Sequence, residues 1–210
     1  KNYSFLINEN LSKSLIGAPP SNKFQKIKHL RPMLSLSNAF EITDMKDFLK
    51  KINNYLNIKN KEIELFCEPK IDGISATLIY EKGTLKKGLS RGDGVTGEDI
   101  LENLKTIKDI PKKILSKSFP KEIDIRGEVF IQNSDFENLK EKFANPRNAA
   151  SGSLRQKNPE DTKKIPLKFI AYTFGFEKGL KAKNQFDYLQ KLSTWGFKTN
   201  RLNKLISGVK

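Results

Sequence analysis

The chain has 210 residues, with 39 Lys and Arg against 24 Asp and Glu and a formal net charge of +15 at pH 7. Hydrophobic residues make up 37% and include 14 Phe, enough to bury a core and too many for a disordered chain. No apolar run approaches the roughly 18 residues that span a bilayer, the single Cys67 closes no disulfide within the chain, and the single His29 leaves no Cys/His zinc cluster or His-based triad as an easy answer. The start, Lys1-Asn2-Tyr3-Ser4, has no signal-peptide pattern, so the expectation is a cytoplasmic, reducing setting and no membrane partner. The positive surplus points toward a polyanion such as nucleic acid or nucleotide. The competing reading is a lysine-biased composition without a ligand.

In chain order, the first 40 residues read as loop, punctuated by Gly17-Ala18-Pro19-Pro20-Ser21-Asn22, and the start at Lys1 reads like an excised piece. Met45, Phe48, Leu49, Ile52 and Leu56 fall at helical spacing, which predicts an amphipathic helix over 42–56 capped by Thr43. Strands are expected over 64–71, 76–80 and 85–90, the last two forming a hairpin across Glu81-Lys82-Gly83-Thr84. Thr96-Gly97-Glu98-Asp99 resembles a capping box leading into a short helix with Ile100, Leu104 and Ile107. Residues 122–131 alternate, with Ile123, Ile125, Val129 and Ile131 opposite Asp124, Arg126, Glu128 and Phe130, as in a half-buried strand. A helix capped by Ser134, with Phe136, Leu139 and Phe143 as its stripe, a strand over 167–176 and a helix over 185–194 ended by Trp195-Gly196 complete the pattern. Short strands mixed with separate helices predict an α+β fold with mostly antiparallel sheets and flanking helices.

Five constellations bear chemistry. In extended chain Glu68, Lys70 and Asp72 share a face. A lysine serves as a nucleophile once deprotonated, yet flanking carboxylates favour its ammonium form, and on spacing alone an ordinary ion pair is the commoner reading. Ser90-Arg91-Gly92-Asp93-Gly94 offers glycines for close approach and a planar Arg for phosphate or ribose, or simply a turn that needs positive φ. Arg126-Gly127-Glu128 is a strand pair whose alternative is a cross-strand salt bridge. Arg147 and Arg155, separated by small residues, suit a phosphate backbone, although two arginines at such spacing are commonplace. Tyr172 is either a stacking ring or core.

Together these segments resemble the adenylation domain of bacterial NAD-dependent DNA ligases. The resemblance rests on Met33 to Phe40, Cys67 to Gly73, Arg91 to Gly94, Gly97-Glu98-Asp99, Arg126 to Phe130, Phe143 to Ala150, Gly152 to Gln156 and Trp195-Gly196-Phe197, in the family's order, from about Gly17 to Asn200. The Lys-x-Asp-Gly element alone is shared with ATP-dependent ligases and capping guanylyltransferases; the full set is far more specific. The resemblance implies a nucleotidyltransferase core, ATP-grasp-like and incomplete at its C-terminal end. It implies that Lys70 attacks the α-phosphate of NAD, releases nicotinamide mononucleotide and carries AMP to the 5′-phosphate of nicked double-stranded DNA, in replication and repair. By matching position Ser35, Leu36, Glu68, Arg91 and Glu128 surround adenosine, Tyr172 stacks on adenine, Asp72 supports Lys70, and Arg147 and Arg155 contact DNA phosphates. Mg2+ is implied without a ligand set. Phosphoryl transfer relies on positioning and charge neutralisation, so the scarcity of His and Cys fits.

The resemblance also divides the chain into 1–32, a linker with a remnant of a nicotinamide-recognition domain, and 33–210, the N-terminal part of the adenylation domain. Within Asn10 to Gly17 only Ile16-Gly17 matches the family pattern, and the family's later lysine motifs and further domains are not found. The expected partners are NAD, nicked DNA and the remaining ligase domains of a parent chain, without oligomerisation, and the piece by itself is expected to be weak or inactive. The alternatives are a noncatalytic DNA-binding module and an ATP- or GTP-using relative.

Overall fold

The computed structural model describes residues 24–58 and 62–207. The Gly17 to Asn22 breaker, the Asn10 to Gly17 segment and most of the 1–32 segment lie outside them. The described residues divide into two compact units, 24–34 with 70–199, and 35–58 and 62–69 with 200–207.

The first unit is built on an antiparallel sheet of β3 (Ile74–Glu81), β4 (Thr84–Ser90), β6 (Glu122–Phe130) and β7 (Lys168–Lys178) in the order β4-β3-β6-β7. The predicted hairpin forms. Lys82 and Gly83 take φ of 47° and 76°, the positive pair that a two-residue turn needs to match strand twist. On one face of the sheet Leu78 and Tyr80 of β3 stand beside Ile125 and Ile123 of β6, all completely buried, each contributing about 1.5–3 kcal/mol. Tyr80 meets Phe119 and Phe197 edge-on. A two-stranded sheet joins β1 (Lys26–Lys28) to β5 (Thr96–Glu98). The short helices are α2 (Leu101–Leu104), α3 (Asn133–Phe136) and α5 (Pro159–Lys163); the longer ones are α4 (Pro146–Leu154) and α6 (Gln185–Thr194).

The second unit contains α1 (Ile42–Leu56) and the antiparallel pair β2 (Glu64–Cys67) and β8 (Lys204–Ser207). α1 has its predicted bounds, but its N-cap is Glu41, not Thr43: the Asp44 carboxylate accepts the N–H groups of Phe40 and Glu41. Asn57 closes it at φ 51°.

Other expectations change. β2 stops at Cys67 rather than 71, ahead of Pro69, which lacks an N–H for a ladder. Thr96 to Glu98 is a strand and not a cap, because β1 pairs with it; Asp99 accepts the N–H of Leu101 instead, and the helix is one turn long. The helix expected from Ser134 is a single turn starting at Asn133, followed by a 3-10 turn, and buries only Phe136. β6 is buried on both faces rather than half-buried: Asp124, Arg126 and Glu128 are 0%, 7% and 8% exposed. β1, α5 and β8 were not legible. Among the described residues no helix is long and apolar enough to cross a membrane.

Candidate nucleotide-binding site

Within the first unit the site grows from the pairing of β3 with β6. Ser75 stands opposite Glu128, and its hydroxyl donates to Glu128 Oε2 at 2.9 Å. Just before β3, Gly73 runs so close to the Val129 carbonyl that no Cβ fits, which explains the glycine that follows Asp72. Lys70 and Asp72 lie on the exposed segment between β2 and β3. The ion-pair alternative for Lys70 is not formed. Asp72 is taken by Arg147, whose Nη1 donates to Oδ1 at 2.8 Å, and among the described residues Lys70 has no ion pair.

Burial raises the Glu128 carboxyl above the ordinary glutamate range; the Ser75 hydroxyl, the positive fields of Lys70 and Arg147 and the Gly73 N–H all pull it back. Tyr172 is the extra residue of β7, since Thr173 pairs with Arg126 and Ala171 with Gly127. Such a bulge re-aims a side chain. Burial raises the Tyr172 phenol, and Ser75, Glu128, Arg126 and Arg91 act on it as well. One set of side chains therefore holds Lys70, Asp72, Arg91, Glu128, Arg147 and Tyr172, with more cations than carboxylates. That excess suits an anion, and the half-buried ring offers a flat apolar surface beside it.

Arg91 begins the loop from β4 to β5. Gly92 and Gly94 have φ of 57° and 90°, and Asp93 Oδ1 accepts from the N–H groups of Val95 and Thr96 at 2.8 and 2.7 Å. The glycines thus answer a turn requirement. Those two N–H bonds also hold the Asp93 carboxyl below its usual range.

Arg155 is engaged differently: its Nε lies 3.0 Å from Oε2 of Glu98, a carboxylate with no exposed surface. Of the small residues of α4, Ala149, Ala150 and Ser153 are buried, with Leu154, in the unit's own core and not offered to a ligand, leaving Arg147, Asn148 and Gly152 outside. Ser35, Leu36 and Glu68 belong to the second unit; Leu36 is exposed, and the Glu68 carboxylate accepts from the Asn203 amide at 3.5 Å.

Among the described residues no cluster of three or more His, Cys, Asp or Glu side chains is arranged to hold a metal by protein alone. Asp72 and Glu128 are the carboxylates at hand, which fits a Mg2+ that takes one or two protein oxygens and completes its shell from phosphate and water. Ser75 carries no motif signal and is found only through strand register. Arg126 does not make the cross-strand salt bridge; it lies 3.4 Å from Asp124 of its own strand.

The family model for the NAD-dependent DNA ligase adenylation domain matches residues 21–210. A DNA ligase of Pelagibacter ubique (strain HTCC1062) is 64% identical over 211 residues, covering 100% of this chain and 31% of that protein. DNA ligases of Rickettsia massiliae (strain Mtu5) and Rickettsia canadensis (strain McKiel) are each 46% identical, covering 98% and 97% of this chain and 30% of their own length. The chain thus spans about a third of the curated relatives it matches.

Proposed function

The chain belongs to the family of NAD-dependent DNA ligase adenylation domains, and from that premise we propose that it carries the nucleotide-accepting lysine of such a ligase on a nucleotidyltransferase, ATP-grasp-like core. Lys70 Nζ attacks the α-phosphorus of NAD. A P–N bond forms, the bond from that phosphorus to the bridging oxygen breaks, and nicotinamide mononucleotide leaves with the electron pair while the amine proton passes to solvent. In the full protein AMP then moves to the 5′-phosphate of a nick, and the neighbouring 3′-hydroxyl displaces it to seal the strand.

One observation carries this reading: Lys70 is exposed, without an ion pair among the described residues, and within electrostatic reach of the buried Glu128, while the carboxylate beside it is already taken by Arg147. Tyr172 stacks on the adenine, and Glu128 and Arg91, with Ser35, Leu36 and Glu68 by motif position, contact the adenosine. Arg147 and Arg155 contact DNA phosphates, Arg155 through the Nη edge left by its Nε contact to Glu98. Asp72 and Glu128 would hold Mg2+, which when bound neutralises charge on the phosphates.

Intact-mass measurement tests the reading in the full reading frame that contains this chain. Incubation with NAD and Mg2+ is expected to add one AMP at Lys70, and ATP to add none. Lys70→Ala and Lys70→Arg should both abolish the adduct; an unmodified wild type, or an adduct formed only with ATP, would overturn the assignment.

A further inference from the structure

The face of β6 that carries Glu128 also carries Asp124 and Arg126, and Arg126 does not point at a ligand. Its side chain, 9% exposed, donates from Nη1 to the Pro32 carbonyl at 3.0 Å and from Nη2 to the Arg31 carbonyl at 2.6 Å, with Asp124 beside it. Thr77, opposite Arg126 across the β3–β6 ladder, donates to Met33 Sδ at 3.3 Å. The segment 29–33, which belongs to no strand, is thereby strapped across the polar face of the sheet. Its other edge meets the Arg91 loop: Met33 N–H donates to Gly94 O at 2.8 Å, His29 N–H to Val95 O at 2.9 Å, and His29 Nε2 lies 3.1 Å from the Arg91 carbonyl.

We propose that Arg126 and His29 are positioning residues for the nucleotide contacts: Arg126 anchors segment 29–33 to the sheet, and His29 passes that anchorage to the loop that aims Arg91. The inference rests on the reading of Arg91, Glu128 and Tyr172 as nucleotide contacts. Stability alone does not call for a guanidinium here, since an aliphatic side chain of similar volume is cheaper to desolvate. What a guanidinium adds is a rigid fork able to grip two successive carbonyls and a carboxylate together, which neither Lys nor Met reproduces. The imidazole is equally specified. Its partner is a carbonyl, so Nε2 carries the hydrogen, and Nδ1 is buried without a hydrogen-bond partner among the described residues. Burial, foremost, holds the ring in its neutral form.

The test compares Arg126→Met, His29→Leu and His29→Gln in the full reading frame, by backbone amide hydrogen exchange and by single-turnover adduct formation with NAD. The Gln amide reaches the Arg91 carbonyl; Leu does not. Arg126→Met and His29→Leu are expected to speed exchange of the backbone amides at positions 29 and 33 at least tenfold, to leave the β6 amides unchanged, and to raise the NAD concentration for half-maximal rate at least tenfold with less than threefold change in the maximal rate. His29→Gln should behave as wild type. Unchanged exchange at positions 29 and 33, or faster exchange with unaltered NAD dependence, overturns the proposal. If Arg126→Met loses its cooperative thermal transition, the two His29 variants decide. A wild type that forms no adduct overturns the functional reading instead, and the exchange data still decide whether segment 29–33 depends on Arg126.

Discussion

Two arginines of one helix have opposite fates. At the start of α4, Arg147 pairs with Asp72, and both side chains are more than half exposed, at 51% and 79%. Just past its end, Arg155 pairs with a Glu98 carboxylate that water does not reach. The first pair sits in high dielectric and opens at little cost, so Arg147 is available to a phosphate. The second cannot open without stranding a buried charge. Residue type and spacing are the same kind of signal in both places, and burial of the partner decides which arginine can leave its pair for a phosphate and which must keep it.

The largest effect should come from breaking the buried pair. Arg155→Met is expected to cost about 2–3 kcal/mol of unfolding free energy in denaturant titrations, at or just below the usual range of roughly 3–5 kcal/mol for a stranded buried charge because Arg155 itself is one-third exposed. Adding Glu98→Gln should restore most of it; a melt like wild type in Arg155→Met would erase the contrast. Next comes DNA. In the full protein, neutralising Arg147 is expected to weaken binding to nicked duplex and to reduce the slope of log affinity against log salt by about 1, while changing stability by less than about 0.5 kcal/mol. An unchanged slope removes Arg147 from the DNA contacts.

The smallest effect concerns a third carboxylate, Glu128, buried against a hydroxyl rather than a cation. Its folded pKa lies above the ordinary 4.5. The stability that it contributes is therefore present below pH 4.5 and lost as pH rises through the folded value. Glu128→Gln should remove that loss, so the variant gains on wild type toward neutral pH and matches it in acid. Arg147→Ala, by withdrawing a favourable field, should move the Glu128 titration further up. A downward move in a pH series of unfolding free energies, or none, contradicts the placement of Arg147 beside Glu128.

Much of this was legible locally. The helices over 42–56 and 185–194 have the bounds their periodicity predicts, and Lys82-Gly83 makes its turn. Lys70, Asp72 and Gly73 form a chemical unit visible in the chain, and alternation places Asp124, Arg126 and Glu128 on one face of β6. The surroundings of that face were not legible, since alternation marks a polar face without saying whether water or another segment covers it. β1 and β5 escaped because three-residue strands carry too few residues for a period and exist only through each other.

What the sequence determined on its own is the short-range part: helix stripes, turn residues and which side chains could do phosphoryl chemistry, because spacing along the chain sets these within a few residues. Tertiary structure alone decided the pairings, Ser75 with Glu128 across 53 positions, Asp72 with Arg147 across 75 and Arg126 with Arg31 across 95. Strand register, the packing of α4 on the sheet and segment 29–33 create those neighbours, and burial then sets the energy of each charge. A lysine, an arginine or a glutamate is written in the chain, but its electrostatic cost exists only once the fold has excluded water from it.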